Sequence, residues 1–140
     1  MGDPRHLLGL AAEDAVARWL TDAGWTIVGR RLRAPGGGEV DIVAIDTERT
    51  LVGIEVRARS SARTGAAAES VDARRVARLG RTLAAVAGRE RLGPVPLRID
   101  LVTAEPEAGA IGRWRLRRVP GIGDAGPTRP VSRRRGSRGR

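Results

Sequence analysis

The sequence predicts an α/β domain in which one helix, three strands, a second helix and two strands follow one another. Two segments repeat apolar residues at helical spacing, whereas five shorter runs rich in Val, Ile and Leu alternate or are continuously apolar, as strands are. Elements interspersed in this way pack as layers, with helices against a sheet. We therefore expect a mixed α/β layered domain without internal repeats.

The first half of the chain predicts one helix, a short strand and a hairpin. Asp3 and Pro4 predict the start of the helix and Gly24 its end, because Asp caps helices, Pro fits their first turn and Gly terminates them. Residues 25–31 alternate well enough for a short strand. The segment APGGG predicts a mobile turn, and it leads into two apolar runs, GEVDIVAID and LVGIEVRAR, whose polar connection predicts a hairpin.

The second half predicts a helix, two strands and a tail. A loop rich in Ser, Ala and Gly precedes an amphipathic helix that ends near Gly88, and the runs LRIDLVTA and IGRWRLRRV predict the last two strands. The apolar stripe of this helix consists of Val76, Leu79, Leu83 and Val86. Residues 1–119 form the predicted domain. Residues 120–140 are predicted to be a disordered, Arg-rich tail, because they contain almost nothing to bury.

The composition restricts the chemistry that the chain can perform. Its 140 residues include no Cys and one His, which excludes disulfides, thiolate zinc sites and nearly every metal site built on His. Oxygen ligands remain, and they suit Mg²⁺ or Mn²⁺. The net charge is +10 and every basic residue is Arg. Such a charge predicts a polyanionic partner, namely nucleic acid, an anionic surface or a ribosomal context.

The hairpin brings acidic residues together. If its turn is centred on Glu48, Asp41 lies opposite Glu55 and Glu39 lies opposite Arg57, all on one face. Directly opposed residues have Cβ atoms about 4.5 to 5.5 Å apart, a spacing at which two carboxylates can share a cation. A slip of one residue or a bulge would separate the two carboxylates, so this prediction depends on the register.

The residues themselves predict a divalent-cation site. Asp41 and Glu55 would hold the ion, the carbonyl of Val56 would offer a further ligand, and Glu39 or Glu13 would contribute through water. Acids confined to one end of a largely apolar hairpin are costly to bury without a cation.

Ordinary ion pairs are the alternative interpretation of the same residues. Arg57 opposite Glu39, with Arg59 nearby, is also typical of a partly solvated sheet face on which acids pair with arginines.

Arginines at the end of the hairpin and beyond it predict contacts with phosphates. Such contacts position a nucleic acid without reading its sequence. The alternative interpretation of the tail arginines is that they are merely solvated. The predicted nucleic-acid-binding residues are Arg59, Arg74, Arg78, Arg81, Arg133, Arg134 and Arg135.

Several segments also match, in order, those of a known family. They are the first helix with Glu13, AGWTIVGRRLR, GGGEVDIVAID, LVGIEVRAR, GAAAESV at 65–71 and RIDLV at 98–102. The hairpin resembles the PD-(D/E)xK nuclease signature, and residues 9–117 resemble the YraN family of small bacterial proteins. The resemblance implies a restriction-endonuclease-like fold, a three-layer core with a mixed central sheet flanked by helices. It also implies metal ligation by Asp41 and Glu55 with help from Glu13.

The residue at position 57 departs from that signature, which has Lys where this chain has Arg57. Lys can activate the attacking water and stabilise the phosphate, whereas Arg stays protonated and does only the latter. The chain contains no Lys at all, so a general bias towards Arg also explains the exchange. Two functions stay open: a Mg²⁺- or Mn²⁺-dependent endonuclease, and a nuclease-like module that binds DNA or RNA without cleaving it.

The sequence predicts a cytoplasmic protein that does not enter membranes. No apolar run approaches the roughly 18 residues of a membrane span. The opening stretch is too short, and too soon followed by Glu13 and Asp14, to be a signal peptide. We expect nucleic acid as the partner, with DNA as the first candidate. A ribosome- or RNA-associated basic protein is a third interpretation.

Overall fold

The computed structural model describes residues 3–59 and 72–122. Its elements follow the predicted order of one helix, three strands, one helix and two strands, which confirms the fold class. They are α1 (Pro4–Asp22), β1 (Thr26–Leu32), β2 (Val40–Ile45), β3 (Leu51–Ala58), α2 (Ala73–Arg89), β4 (Leu97–Pro106) and β5 (Trp114–Val119).

The five strands form one mixed sheet in the order β1-β2-β3-β4-β5. Neighbouring strands are antiparallel except β3 and β4, which are parallel and joined by the crossover through α2. The helices lie against opposite faces of the sheet, since each packs into a separate apolar cluster. The predicted three-layer architecture is therefore confirmed, and it is consistent with a restriction-endonuclease-like fold.

Helix α1 begins as the sequence predicts, and α2 begins with a cap of the same kind. The side chain of Asp3 accepts a hydrogen bond from the N–H of Arg5, and that of Asp72 accepts one from the N–H of Arg75, so each satisfies a free donor of a first turn. Beyond α1 the chain turns at Gly24, whose φ of 94° is open to Gly without strain.

Each helix buries one stripe against the sheet. Helix α1 contributes Ala12, Val16 and Leu20 to a cluster with Ile42 and Ile54. On the other face, α2 buries its predicted stripe against apolar residues of β2, β3 and β4. None of the helices in residues 3–59 and 72–122 is long and apolar enough to cross a membrane.

The register of the β2–β3 hairpin is the predicted one. Ile42 pairs with Ile54 and Ile45 with Leu51. The side chain of Asp46 stabilises the turn, because its Oδ1 accepts hydrogen bonds from the N–H groups of Glu48 and Thr50, both at 2.9 Å. The ladder ends at the pair of Ile42 and Ile54, so it includes neither of the predicted pairs, Asp41 with Glu55 and Glu39 with Arg57.

The segment before β2 is anchored, which corrects the prediction of a mobile turn at residues 34–38. The hydroxyl of Thr82 donates to the carbonyl oxygen of Gly38 at 2.6 Å, and the N–H of Gly38 donates to the carbonyl of Arg78 at 3.2 Å. A Cβ at Gly37 would overlap Thr82 Oγ1, so only Gly fits between this segment and α2. Consecutive glycines here permit close packing rather than motion.

The chain continues to pack against the domain beyond residue 119, the predicted domain end. The N–H of Ile122 donates to the carbonyl of Ile99 at 3.0 Å, and Ile122 is buried in the cluster under α2. The rest of the predicted tail, with Arg133, Arg134 and Arg135, lies outside the described residues.

Candidate metal centre

Asp41 lies where β2 and β3 stop pairing, at the end of the hairpin that is remote from its turn. Its Oδ2 accepts a hydrogen bond of 2.8 Å from the N–H of Val56, which takes the place of the next ladder contact. The carboxylate of Asp41 is thereby fixed to the backbone of β3 directly after Glu55.

The surroundings of Asp41 disfavour its charge. Burial raises the pKa of Asp41 from 3.8 to about 7, and the nearby carboxylates of Glu55, Glu13 and Glu39 act in the same direction. The hydrogen bond from Val56 lowers this pKa but does not compensate. The carboxylates of Glu55, Glu13 and Glu39 therefore all act against the charge of Asp41.

Glu55 is buried, with 7% of its surface exposed, and only half of its carboxylate is satisfied. Both Nε and Nη2 of Arg75 donate to Oε2, at 3.1 and 2.8 Å. Its Oε1 is buried and finds no hydrogen-bond donor among residues 3–59 and 72–122. Asp100, also buried, is satisfied on both oxygens by Arg98, Arg118 and the N–H of Gly121. An orphaned carboxylate oxygen is thus not the rule in this protein.

Arg75 was not among the residues that the sequence singled out. It precedes Val76 and lies one turn before Leu79, which places it beside the buried stripe of α2 rather than on the outer face with Arg74 and Arg78. A helical projection could have shown this position, but only the crossover between the parallel strands brings it to Glu55.

Glu13 and Glu39 are occupied by arginines. Glu13 Oε1 lies 3.2 Å from Arg30 Nη2 and 3.2 Å from Arg31 Nε, and Glu39 Oε1 lies 2.8 Å from Arg33 Nη2. Within the described ranges, no group of three or more His, Asp or Glu side chains is arranged to hold a metal ion. The candidate centre therefore consists of Asp41 and Glu55, with the carbonyl of Val56 as a backbone oxygen beside them.

A cleft of about 280 Å³ opens between α1 and the sheet on the side of Glu13 and Glu39. Arg31 lines it from a backbone with a φ of 51°, a left-handed conformation that is uncommon for Arg. The other lining residues are Arg5, His6, Gly9 and Leu10. The cleft thus combines basic side chains with the carboxylates of Glu13 and Glu39, two of the three that raise the pKa of Asp41.

The predicted phosphate-binding arginines occupy different places. Arg57 and Arg59 follow Glu55 along β3 and its end and are half-buried. Arg74 and Arg78 are exposed on α2, whereas Arg81 donates from Nε to the carbonyl of Gly36 at 2.9 Å and so helps to anchor the glycine segment.

One known family covers the elements that build this centre. The pattern of the uncharacterised protein family UPF0102 matches residues 12–104, from α1 to β4. The chain belongs to this family. The resemblance to YraN is thereby confirmed, and the UPF0102 match includes Glu13, Asp41, Glu55 and Arg75.

Individual UPF0102 proteins are similar over most of their length. That of Symbiobacterium thermophilum is 38% identical over 112 residues, which cover 80% of this chain and 92% of the relative. That of Deinococcus radiodurans is 41% identical over 117 residues, covering 81% and 91%. That of Moorella thermoacetica is 40% identical over 118 residues, covering 84% and 91%. The chain thus matches these relatives over nearly their whole length.

Proposed function

We propose that this UPF0102 protein is a divalent-metal-dependent endonuclease that binds nucleic acid, with DNA as the first candidate, and hydrolyses its phosphodiester bonds. The observation that carries the proposal is the buried Oε1 of Glu55, which has no hydrogen-bond donor among residues 3–59 and 72–122, together with the effect of the Glu55 charge on Asp41. Burying an unsatisfied charged oxygen is costly, and a cation between the two carboxylates would compensate both.

The residues present fit a hard cation. Asp41, Glu55 and the carbonyl of Val56 would hold Mg²⁺ or Mn²⁺, which prefer oxygen ligands and retain several waters. The raised pKa of Asp41 supports this assignment, since strongly perturbed carboxylates concentrate at functional sites. When bound, the ion would lower the pKa of a water and offset the charge of the phosphate.

The protein's own side chains then have distinct tasks. The N–H of Val56 fixes Asp41, and Arg75 fixes Glu55, so both carboxylates are positioned before substrate binds. Arg57, two residues beyond Glu55 on the same face of β3, would donate hydrogen bonds to the phosphate. Because Arg stays protonated, the attacking water gives its proton to another acceptor, and we assign this role to an oxygen of the substrate phosphate.

Cleavage of nucleic acid tests the proposal. Branched and linear DNA of matched length would be incubated with the protein in Mg²⁺, Mn²⁺ or EDTA. We expect ion-dependent cleavage that Asp41→Asn and Glu55→Gln each abolish and that Glu48→Gln, in the exposed hairpin turn, leaves intact. Cleavage that persists unchanged in Asp41→Asn would contradict the proposed role of this centre.

A second candidate is a nuclease-like module that binds nucleic acid without cleaving it. Arg57 favours it, because this side chain cannot act as a base, and so does the lack of a third clustered acid within residues 3–59 and 72–122. Arg57→Lys separates the candidates. Cleavage that appears only in this variant would mean that the loss of catalysis is due to position 57. Salt-sensitive binding without cleavage, in both wild type and Arg57→Lys, would favour the module.

A further inference from the structure

Alternation along β3, β4 and β5 assigns their residues to the two faces of the sheet. Leu101 and Val119 pack into the cluster under α2, whereas Val102 and Leu116 pack into the cluster under α1. Successive residues of a strand point to opposite faces. Arg117 and Arg115 therefore lie on the α2 side of β5, as Glu55 does on β3 through its contact with Arg75.

The register places four arginines on this side of the sheet. They occupy two neighbouring rows of paired positions that run across β3, β4 and β5. Arg57 pairs with Thr103, which pairs with Arg117. One row further on, Glu105 pairs with Arg115, and the N–H of Arg59 donates to the carbonyl of Ala104 at 2.8 Å. We call these residues the arginine row. Its members are Arg57, Arg59, Arg115 and Arg117.

The spacing of the arginine row suits an extended polyanion. Positions on β3 and β5 in the same row are two strand spacings apart, which is about 10 Å. Positions two residues apart along one strand are separated by about 7 Å. The row begins two residues beyond Glu55 and ends at β5, an edge strand of the sheet. A chain of phosphates lying across it would pass directly from the candidate metal centre to the edge of the domain.

The charge on this surface is predominantly positive. Arg115 and Arg117 are exposed, and Glu105 is the only described carboxylate at the register positions of these two rows, with Glu55 two residues before Arg57 on β3. Glu55 is held by Arg75, and Glu105 lies at the limit of an ion pair, 4.0 Å from Arg115. Trp114 packs on the α1 side, so it offers the row no ring on which a base could stack.

We propose that the arginine row binds the phosphate backbone of a nucleic-acid strand where that strand leaves the Asp41 and Glu55 centre towards β5. The identity of the ligand rests on the proposed function, whereas the location rests on the register of the sheet. Arg binds phosphate through a planar fork of donors, and contacts of this kind carry no sequence information. The row therefore gives affinity and direction to the substrate strand rather than sequence specificity.

Binding without metal tests the row separately from catalysis. Fluorescence anisotropy in EDTA would measure the affinity of wild type and of Arg115→Gln/Arg117→Gln for single-stranded DNA, duplex DNA and RNA of equal length. Each affinity would be measured over a range of salt concentrations. The matched control is Arg49→Gln/Arg89→Gln, which removes two exposed arginines near the hairpin turn and at the end of α2. Arg115→Lys/Arg117→Lys keeps the charge.

We expect the row variant to bind at least about tenfold more weakly, because two charge-assisted contacts are lost. The slope of log K against log salt should become shallower by about 1.4 to 1.8, at about 0.7 to 0.9 per phosphate contact. The control should match wild type, and the Lys variant should keep most of the slope. If the double Gln variant does not fold, the two single variants should each show half the change.

Equal affinity and slope in the row variant and the control would overturn the inference. Equally tight, row-dependent binding of inorganic polyphosphate would overturn the assignment to a nucleic-acid strand. Failure of the nuclease proposal looks different: the row variants would weaken binding as expected, but no ion would produce cleavage.

Discussion

The N–H of Val56 donates a hydrogen bond of 2.8 Å to Asp41 Oδ2 at the point where the β2–β3 ladder ends. This bond keeps Asp41 next to Glu55 although the two strands no longer pair there. The N–H of Val56 is a neutral donor, so the bond orients the carboxylate of Asp41 without neutralising its charge. Both the stability and the metal affinity of the domain should therefore depend on the charge of Asp41.

The first prediction concerns pH. The pKa of Asp41 is about 7 in the folded protein, above its ordinary value of 3.8, so folding favours the protonated form. The contribution of protonated Asp41 to the free energy of unfolding is fully present below about pH 4 and is lost as the pH rises through 7. In EDTA at pH 8, Asp41→Asn should unfold at a higher urea concentration than wild type. Its free energy of unfolding should be higher by roughly 2 kcal/mol after allowance for screening, and the difference should shrink towards pH 4.

Urea denaturation at several pH values checks this dependence, with Glu48→Gln as a control in the exposed turn. A difference between Asp41→Asn and wild type that is the same at pH 4 and pH 8 would show that the charge of Asp41 is not its source.

The second prediction concerns metal ions. At pH 8, Mn²⁺ or Mg²⁺ should raise the free energy of unfolding of wild type, by about 2.7 kcal/mol when the free ion is at 100 times its Kd. Asp41→Asn and Glu55→Gln should lose this gain, because each removes one of the two carboxylate ligands. Thermal unfolding with and without the ion measures the effect, and it does so without any assay of cleavage. An equal gain in all three proteins would place the ion elsewhere.

The third prediction concerns Arg75. Its replacement by Ala removes the donor of Oε2 and leaves Glu55 buried without a donor among residues 3–59 and 72–122, which should cost about 2 kcal/mol since Arg75 itself is partly exposed. Arg74→Ala, on the exposed side of the same turn, should change stability by less than about 0.5 kcal/mol. In Arg75→Ala/Glu55→Gln much of the loss should be recovered, and a double-mutant cycle measures this coupling. Strictly additive effects would mean that the pair contributes no interaction energy.

The hairpin register could be predicted from the sequence because its determinants are local. The polar connection is short, and the alternation of apolar residues in β2 and β3 allows one parity in which the interior faces are both apolar. Asp46 then holds the turn through its own side chain. Nothing distant in the chain is needed to bring Asp41 near Glu55.

The remaining contacts of the centre depend on packing between distant segments. Arg75 reaches Glu55 only through the crossover of α2, and Arg30 reaches Glu13 only because α1 packs beside β1. The glycine segment shows the same limit. Its composition is typical of a mobile turn, but the close approach of α2 at Thr82 makes it an anchored one.

The last prediction uses that segment to connect packing with the candidate centre. A Cβ at Gly37 would overlap the buried Oγ1 of Thr82 and lie 3.0 Å from its backbone N, whereas a Cβ at Gly38 would meet its nearest atom at 3.5 Å. Gly37→Ala should therefore cost about 1 to 3 kcal/mol as an overpacking change, and Gly38→Ala clearly less. Urea denaturation of the two variants measures the difference.

The segment leads directly into β2, so a displacement at Gly37 should reach Asp41. We expect Gly37→Ala to weaken the stabilisation by Mn²⁺ as well, because a shift of about 1 Å is enough to disturb a preorganised site. Gly38→Ala should retain that stabilisation. If Gly37→Ala lost stability but kept the full response to Mn²⁺, the packing of the glycine segment on α2 would support the fold alone and not the position of Asp41.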